Sequence, residues 1–542
     1  MPEAKIAELQ QRCQEGTLLP SDLGLPEHFR RYHDIQLQAL QAILNSQARV
    51  ILLQAPTGTG KTLLMASLPP LLDTKVLYTC HTKALQEQVA GDFPDSVELK
   101  GRANYPCLKD PLELTADDCL VEKQNCLACS VGCAAEQQER ARGNGRCPCA
   151  SSCPYLIQKR LALEAPLAIL NVPLFLAEAN YVGGFSGWPW LVLDEGDLTE
   201  ASLMDFVGVI ITAWQIERLD LSPPRAKTVP EAWIEWAITS LPRITSRAWE
   251  LEDTGKPRDI REAKGYRRLA KKLEFLIDQD LEYWAFIPEE ARWSFRPIFV
   301  SSHAAHNLWG HAERFLAMSA TIIDPQQFAR DLGLKAGQWE FIDLPSTFPR
   351  ETRPILFLPR ANMTHKTSST AWPQAVQALD EVLDRHPDEK GLVHTVSYPL
   401  ASHVLENSRH APRLIVHNPK NRYQVLEQFK AARAPLVLVS PSMERGVDLP
   451  YDCCRFIVVL KVPYLQLKDP QVQRRVYGTR SGPQWYAVQA IRSLVQATGR
   501  GTRAADDYCI SYILDAQFER LYREHQHLFP AWWREALERE SP

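Results

Sequence analysis

The chain has 542 residues, 45% of them hydrophobic and 23% charged, and a net charge of −4. Single cores stop growing near ~250 residues, so this length calls for about three or four domains, and the composition excludes fibrous and disordered chains. The slightly acidic balance also excludes a global basic field, so any site for a polyanion must be local.

In chain order, the opening MPEAKIAELQQRCQEG lacks an apolar stretch of signal-peptide length, and no apolar run approaches the ~18 residues of a membrane span. The expectation is a cytoplasmic protein with no membrane partner. RVILLQ (49–54) is an apolar run with β-branched residues, followed by the turn APTGTGKT and by KTLLMASLPPLL, whose spacing predicts a helix ended by Pro69-Pro70. KVLYTC (75–80) and WLVLDE (190–195) are further buried-strand candidates, and with helical stretches between them they predict a parallel sheet covered on both faces. Residues 201–300 read as a helical insert, rich in Trp, Arg, Glu and Lys. Trp233 and Trp236 stand at helical spacing and are expected in a core. After RFLAMSAT (314–321) strands and helices alternate again, with GLVHTVSY, PLVLVS and RFIVVLKVPY as strands of a second sheet domain.

The turn after the first strand carries phosphate chemistry. The backbone from Pro56 through Thr57, Gly58, Thr59 and Gly60 to Thr62 can wrap a β-phosphate. The glycines permit close approach, Lys61 reaches the β- and γ-phosphates, and Thr62 can ligate Mg²⁺. Asp194 and Glu195 follow an apolar run that carries them to the carboxyl edge of the sheet, where ligands of such sheets bind. Asp194 is placed to hold Mg²⁺ through water and Glu195 to polarise the attacking water. Near the end of the chain, QATGRGTR presents Arg500 and Arg503 on one face if helical, where two guanidiniums can stabilise charge on a γ-phosphate from an opposite domain.

Between the two nucleotide motifs the chain places eight of its thirteen cysteines, from Cys107 to Cys153. In a reducing compartment clustered cysteines read as metal ligands before disulfides. Four thiolates suffice for an iron–sulfur cluster, and by spacing alone tetrahedral zinc is the competing metal.

Taken together these segments resemble superfamily 2 helicases, and specifically the XPD/DinG family of iron–sulfur helicases, over most of the chain. APTGTGKT is similar to motif I, YTCHTKALQEQV to motif Ia, DEGD to the DEAH box, MSAT to motif III, MERGVDLP to motif V and QATGRGTR to motif VI. The resemblance implies the roles given above for Lys61, Thr62, Asp194, Glu195, Arg500 and Arg503, adds Gln496 to the nucleotide site, and adds Gln36 in RYHDIQ as an adenine-side contact. Gly196 and Asp197 stand where the family usually has alanine and histidine, which bears on how the nucleotide state is relayed to the second domain. KGRANYPC and SCPYLIQKR resemble the segments holding the family's first and fourth cluster cysteines, Cys107 and Cys153. For the inner pair, Cys119 with Cys147 is favoured over Cys126 with Cys129.

The implied fold class is α/β. Two RecA-like doubly wound parallel-sheet motor domains carry an iron–sulfur insert and a helical arch insert. Residues 1–100, 155–200 and 301–340 are assigned to the first motor domain, 101–154 to the cluster insert, 201–300 to the arch and 341–542 to the second motor domain. The implied cofactors are ATP, Mg²⁺ and a [4Fe–4S] cluster. The implied activity is ATP-dependent translocation on single-stranded DNA, 5′→3′, by a monomer that opens forked duplex DNA or RNA–DNA hybrids. Two other classes stay open: a nucleic-acid-stimulated ATPase that remodels protein–nucleic acid complexes without unwinding, and a zinc-stabilised NTP-binding protein. Motif Ia and the paired arginines weigh against the last.

Overall fold

The computed structural model describes residues 3–108, 110–118, 153–364, 368–442, 449–502 and 506–539. Two seven-stranded sheets organise the chain. In the first, the strands run in the order Trp339–Asp343, Val50–Gln54, Ala312–Ser319, Trp188–Asp194, Val76–Cys80, Leu167–Asn171 and Val97–Glu98, all parallel. Val50–Gln54 and Val76–Cys80 are buried at every position, so they read as continuous apolar runs rather than as alternating ones. Helices Asp34–Asn45 and Lys61–Leu72 pack on one face, and Pro154–Glu164 and Thr199–Val207 on the other. Trp339–Asp343 pairs with the strand that leads into the phosphate loop, which carries this motor domain past the boundary expected at 340.

The second sheet is also wholly parallel, in the order Leu414–Val416, Val437–Ser440, Gly391–His394, Phe456–Val459, Ile510–Asp515, Ile355–Ala361 and Leu537–Arg539. The strand expected over GLVHTVSY stops at His394 because Ser397 caps a new helix, its hydroxyl accepting the amide of Leu400 at 3.4 Å. A second expectation is corrected in the helix after the phosphate loop. It does not end at Pro69-Pro70 but runs through both to Leu72. A proline lacks only its own N–H, so the pair costs the helix the two hydrogen bonds to the carbonyls a turn earlier. The helix then ends at Asp73, which adopts a left-handed conformation and donates its amide to Pro69.

The stretch 201–300 contains two long antiparallel helices, Pro230–Asp253 and Pro257–Ile277, as expected of a helical insert. It also contains a three-stranded antiparallel sheet formed by Val209–Thr212, Arg292–Pro297 and Trp284–Pro288. These strands are short and their apolar residues pack against the helices in one shared core, so the helical period dominates the sequence. Trp233 and Trp236 are buried there, their indole N–H groups donating to Lys227 O and Ser222 O. Among the described residues no helix is long and apolar enough to cross a membrane.

Candidate functional site

The first strand delivers its carboxyl end to Ala55, and the loop that follows turns on two glycines with positive φ, 82° at Gly58 and 74° at Gly60. Both are positions where a side chain would be strained, and both are crowded. A Cβ on Gly58 would overlap the ring of Phe348, and one on Gly60 would overlap the amide of Gln36. Thr59 closes the turn by donating its hydroxyl to Pro56 O at 2.6 Å, and Lys61 Nζ donates to Ala55 O at 3.3 Å, which folds the lysine back over the loop. Thr57 lines this loop and Thr62 opens the helix that follows. Gln36 is buried, and both ends of its amide are used by the chain itself. Nε2 donates to Thr59 O at 2.9 Å, and Oε1 accepts the amide of His33 at 2.8 Å. The bond to Thr59 braces the phosphate loop.

Asp194 ends its strand at the same edge. Burial, with the charge of Glu195 added, pushes its carboxyl up to about 6, while Lys61 and the hydrogen bond from Tyr78 hold it down. Tyr78 donates its hydroxyl to Asp194 Oδ2 at 2.6 Å, and burial pushes that phenol well above its ordinary range. Glu195 sits at φ 46°, a left-handed conformation that a non-glycine residue adopts at a cost and that is met mostly at functional sites. Among the described residues Asp194 Oδ1 and Glu195 Oε2 are buried and accept no hydrogen bond. An unpaired carboxylate oxygen beside a phosphate loop, as Asp194 offers, is the kind of donor a hydrated divalent cation takes. Gly196 packs closely on Ala317: a Cβ there would stand 3.0 Å from Ala317 Cβ and 3.2 Å from Ala317 C, so the neighbour would have to shift by a few tenths of an ångström.

From this acidic turn a chain of contacts crosses to the second sheet domain. Asp197 is buried and accepts the hydroxyls of Ser319 at 2.6 Å and Thr321 at 3.2 Å. Thr321 in turn receives Gln496 Nε2 on its hydroxyl at 2.7 Å, and Gln496 Oε1 accepts Arg500 Nη2 at 2.7 Å. Gln496 and Arg500 lie at the end of helix Gly482–Thr498 and in the turn after it. At Gly499 a Cβ would stand 3.7 Å from the hydroxyl of Thr57, so this turn faces the phosphate loop. Beneath Arg500 lies His394, deeply buried. Burial and the nearby guanidinium push its pKa down to about 3, which keeps the imidazole neutral. The structure thus brings Lys61, Asp194, Glu195, Gln496 and Arg500 to one cleft between the sheets. Arg503 lies outside the described residues.

Reading the sequence missed two contributors, Tyr78 and Arg492. Tyr78 is one apolar residue in a buried strand, and nothing local marks it. Arg492 stands one helical turn before Gln496 and donates Nε to Thr321 O at 3.1 Å. That i, i+4 spacing placed it on the same helix face, a signal that was present in the sequence.

Of the four favoured cysteines the structure describes Cys107, which is buried, and Cys153, which caps helix Pro154–Glu164. Cys119 and Cys147 lie outside the described residues, as do the alternates Cys126 and Cys129. Among the described residues no group of three or more His, Cys, Asp or Glu could hold a metal. The two ends of the segment leave the first motor domain side by side, since Tyr105 packs edge-on to Tyr155 at 5.5 Å and Arg102 lies over the Tyr155 ring at 5.3 Å. Just before Cys119, Asp118 accepts Arg261 Nη2 at 2.7 Å, and Asp117 O accepts Lys264 Nζ at 2.5 Å. Both basic residues belong to helix Pro257–Ile277, so the insert is tied to the long helices.

Comparison with known proteins agrees with this arrangement. Residues 379–536 match the family described as Helicase C-terminal domain, and residues 29–116 match the family described as Type III restriction enzyme, res subunit. The chain is 23% identical to ATP-dependent DNA helicase YoaA of Escherichia coli (strain K12), over 88% of this chain and 89% of that protein. It is 22% identical to the protein of the same name from Haemophilus influenzae, over the same shares. Among solved structures, one titled XPD_Helicase superposes with a TM-score of 0.63 at 15% identity, covering 94% of this chain and 100% of the other. S. tokodaii Xpd4 superposes with a TM-score of 0.58 at 14% identity, again over 94% and 100%.

Proposed function

We propose that this chain, an XPD/DinG-type superfamily 2 helicase, hydrolyses ATP in the cleft between its two parallel-sheet domains and uses closure and opening of that cleft to travel on single-stranded DNA and part duplexes. The carrying observation is the unbroken path from Asp197 through Thr321 and Gln496 to Arg500, which joins the acidic turn of one domain to an arginine of the other. A cleft that closes over ATP delivers that arginine; a cleft that opens withdraws it. In this reading the phosphate loop and Lys61 hold the β- and γ-phosphates, and Glu195 orients the attacking water. Arg500 and Arg503 stabilise the charge that develops on the transferred phosphoryl group. Thr62 and Asp194 would hold Mg²⁺, which when bound neutralises phosphate charge.

The cysteines Cys107, Cys119, Cys147 and Cys153 would hold a [4Fe–4S] cluster, whose thiolate ligation would cross-link the insert. The position of this segment between the nucleotide motifs and its tie to helix Pro257–Ile277 support a strand path through insert and arch. The 5′→3′ direction is carried by the resemblance alone. Forked duplexes and RNA–DNA hybrids are the substrates to try first.

The test is ATP hydrolysis by anaerobically purified protein with and without single-stranded DNA, followed by unwinding of 5′-tailed, 3′-tailed and blunt duplexes at fixed salt. Hydrolysis stimulated by DNA and opening of 5′-tailed duplexes are expected. A preference for 3′ tails overturns the direction. Failure on all three with stimulated hydrolysis intact moves the protein to the class that remodels complexes without unwinding.

A further inference from the structure

The Nε of Arg492 lies 3.6 Å from Asp197 Oδ2, the two side chains coming from opposite sides of the cleft and both being buried. We propose that Asp197 and Arg492 are a matched charge pair that sets the closed register of the cleft, and that Arg492 is thereby a positioning residue for Arg500. The proposal rests on the reading of this cleft as an ATPase site.

The energetics follow from which domain supplies each partner. Asp197 receives two hydroxyls, from Ser319 and Thr321, and both belong to its own domain, so they stay with it when the cleft opens. Arg492 comes to it from the other domain. A carboxylate held away from water is costly without a counter-charge, and removing one member of a buried pair is more damaging than removing both. Closure is therefore favoured by a charge already buried in the acidic turn.

The geometry makes that preference directional. Arg492 Nε also donates to Thr321 O at 3.1 Å, and Gln496 Nε2 holds the hydroxyl of the same threonine at 2.7 Å. Helix Gly482–Thr498 is thus fixed to Thr321 at two points a turn apart, and Arg500 continues from the second through its bond to Gln496 Oε1. Asp197 stands two residues after Glu195. Seating Arg492 on Asp197 sets where Arg500 arrives relative to the residue that orients water. Arg492 also meets Gln489 Oε1 at 3.3 Å and contributes to the field at Asp331, but neither contact reaches the acidic turn.

The experiment compares the full chain with Asp197→Asn, Arg492→Gln, the double variant and Arg492→Lys. Three quantities are read: hydrolysis with and without saturating single-stranded DNA, affinity for a fluorescent ATP analogue, and the thermal midpoint. Each single neutral variant is expected to lower the DNA-stimulated kcat by about tenfold or more while changing analogue affinity by less than about threefold. The double variant is expected to be no slower than the slower single one, and Arg492→Lys to recover part of the rate. Additive losses in the double variant, a full stimulated rate in Arg492→Gln, or loss of analogue affinity in step with the thermal midpoint would each overturn the pair. If the unaltered protein shows no DNA-stimulated hydrolysis, the reading of the cleft falls and the pair falls with it. If it does and Arg492→Gln matches it, the pair alone is wrong.

Discussion

Tyr78 stands opposite Val192 on the neighbouring parallel strand and reaches two residues along it, where its phenol donates to Asp194 Oδ2 at 2.6 Å while Oδ1 is left without a partner among the described residues. The tyrosine fixes which carboxylate oxygen is available to the nucleotide side. Tyr78→Phe keeps the ring in the core and removes only that donor. Leaving Oδ2 buried and unpaired should cost about 1–3 kcal/mol of stability by thermal unfolding. It should also raise the Mg²⁺ concentration needed for half-maximal hydrolysis. An unchanged Mg²⁺ requirement would show that Asp194 orients itself without help.

In the proposed reading, Lys61→Ala removes the cation that meets the transferred phosphate, and Glu195→Gln removes the carboxylate that orients water. Both variants should lose turnover by a factor of at least about 10² while binding single-stranded DNA near normally, as measured by fluorescence anisotropy. DNA-stimulated hydrolysis surviving in either would sink the assignment of this cleft as the ATP site.

If the cysteine segment holds an iron–sulfur cluster, anaerobically prepared protein should be brown and carry about four irons per chain. Cys107→Ser and Cys153→Ser should each lose the colour and the unwinding activity yet keep part of the hydrolysis, because the phosphate loop lies outside the insert. Colourless protein with stoichiometric zinc decides for the zinc alternative.

Asp331 gives the pH dependence. Burial, with Glu200 beside it, pushes its carboxyl up to about 7, against the pull of Arg475, which reaches both acids from helix Pro470–Gly478 of the second domain. The folded pKa lies above the unfolded one. This group's contribution to stability is therefore fully present below the ordinary carboxylate range and is lost as pH rises through about 7. The thermal midpoint should fall from about pH 4 to about pH 7 and level off above that, and Asp331→Asn should flatten the fall, since an amide does not titrate. A slope unchanged by the substitution would assign the pH dependence to other groups.

What the sequence determined is local. Strand, loop and helix around APTGTGKT lie in one short stretch, so the spacing that cradles a phosphate is visible without a fold. The same holds for an acidic pair at a strand end and for two arginines after a helix. The parallel sheets were legible too, because a strand buried on both faces is apolar at most of its positions. The strands of residues 201–300 were not, being short segments whose apolar residues share a core with two long helices. Only the tertiary structure decided which side chains complete the site. Tyr78 meets Asp194 across 116 positions of chain, and Arg492 meets Thr321 across 171. Gln36 meets Thr59 O of the phosphate loop across 23 positions. In each case a buried polar group had to find its partner, and that partner is set by how the sheets and helices stack, which local spacing does not encode.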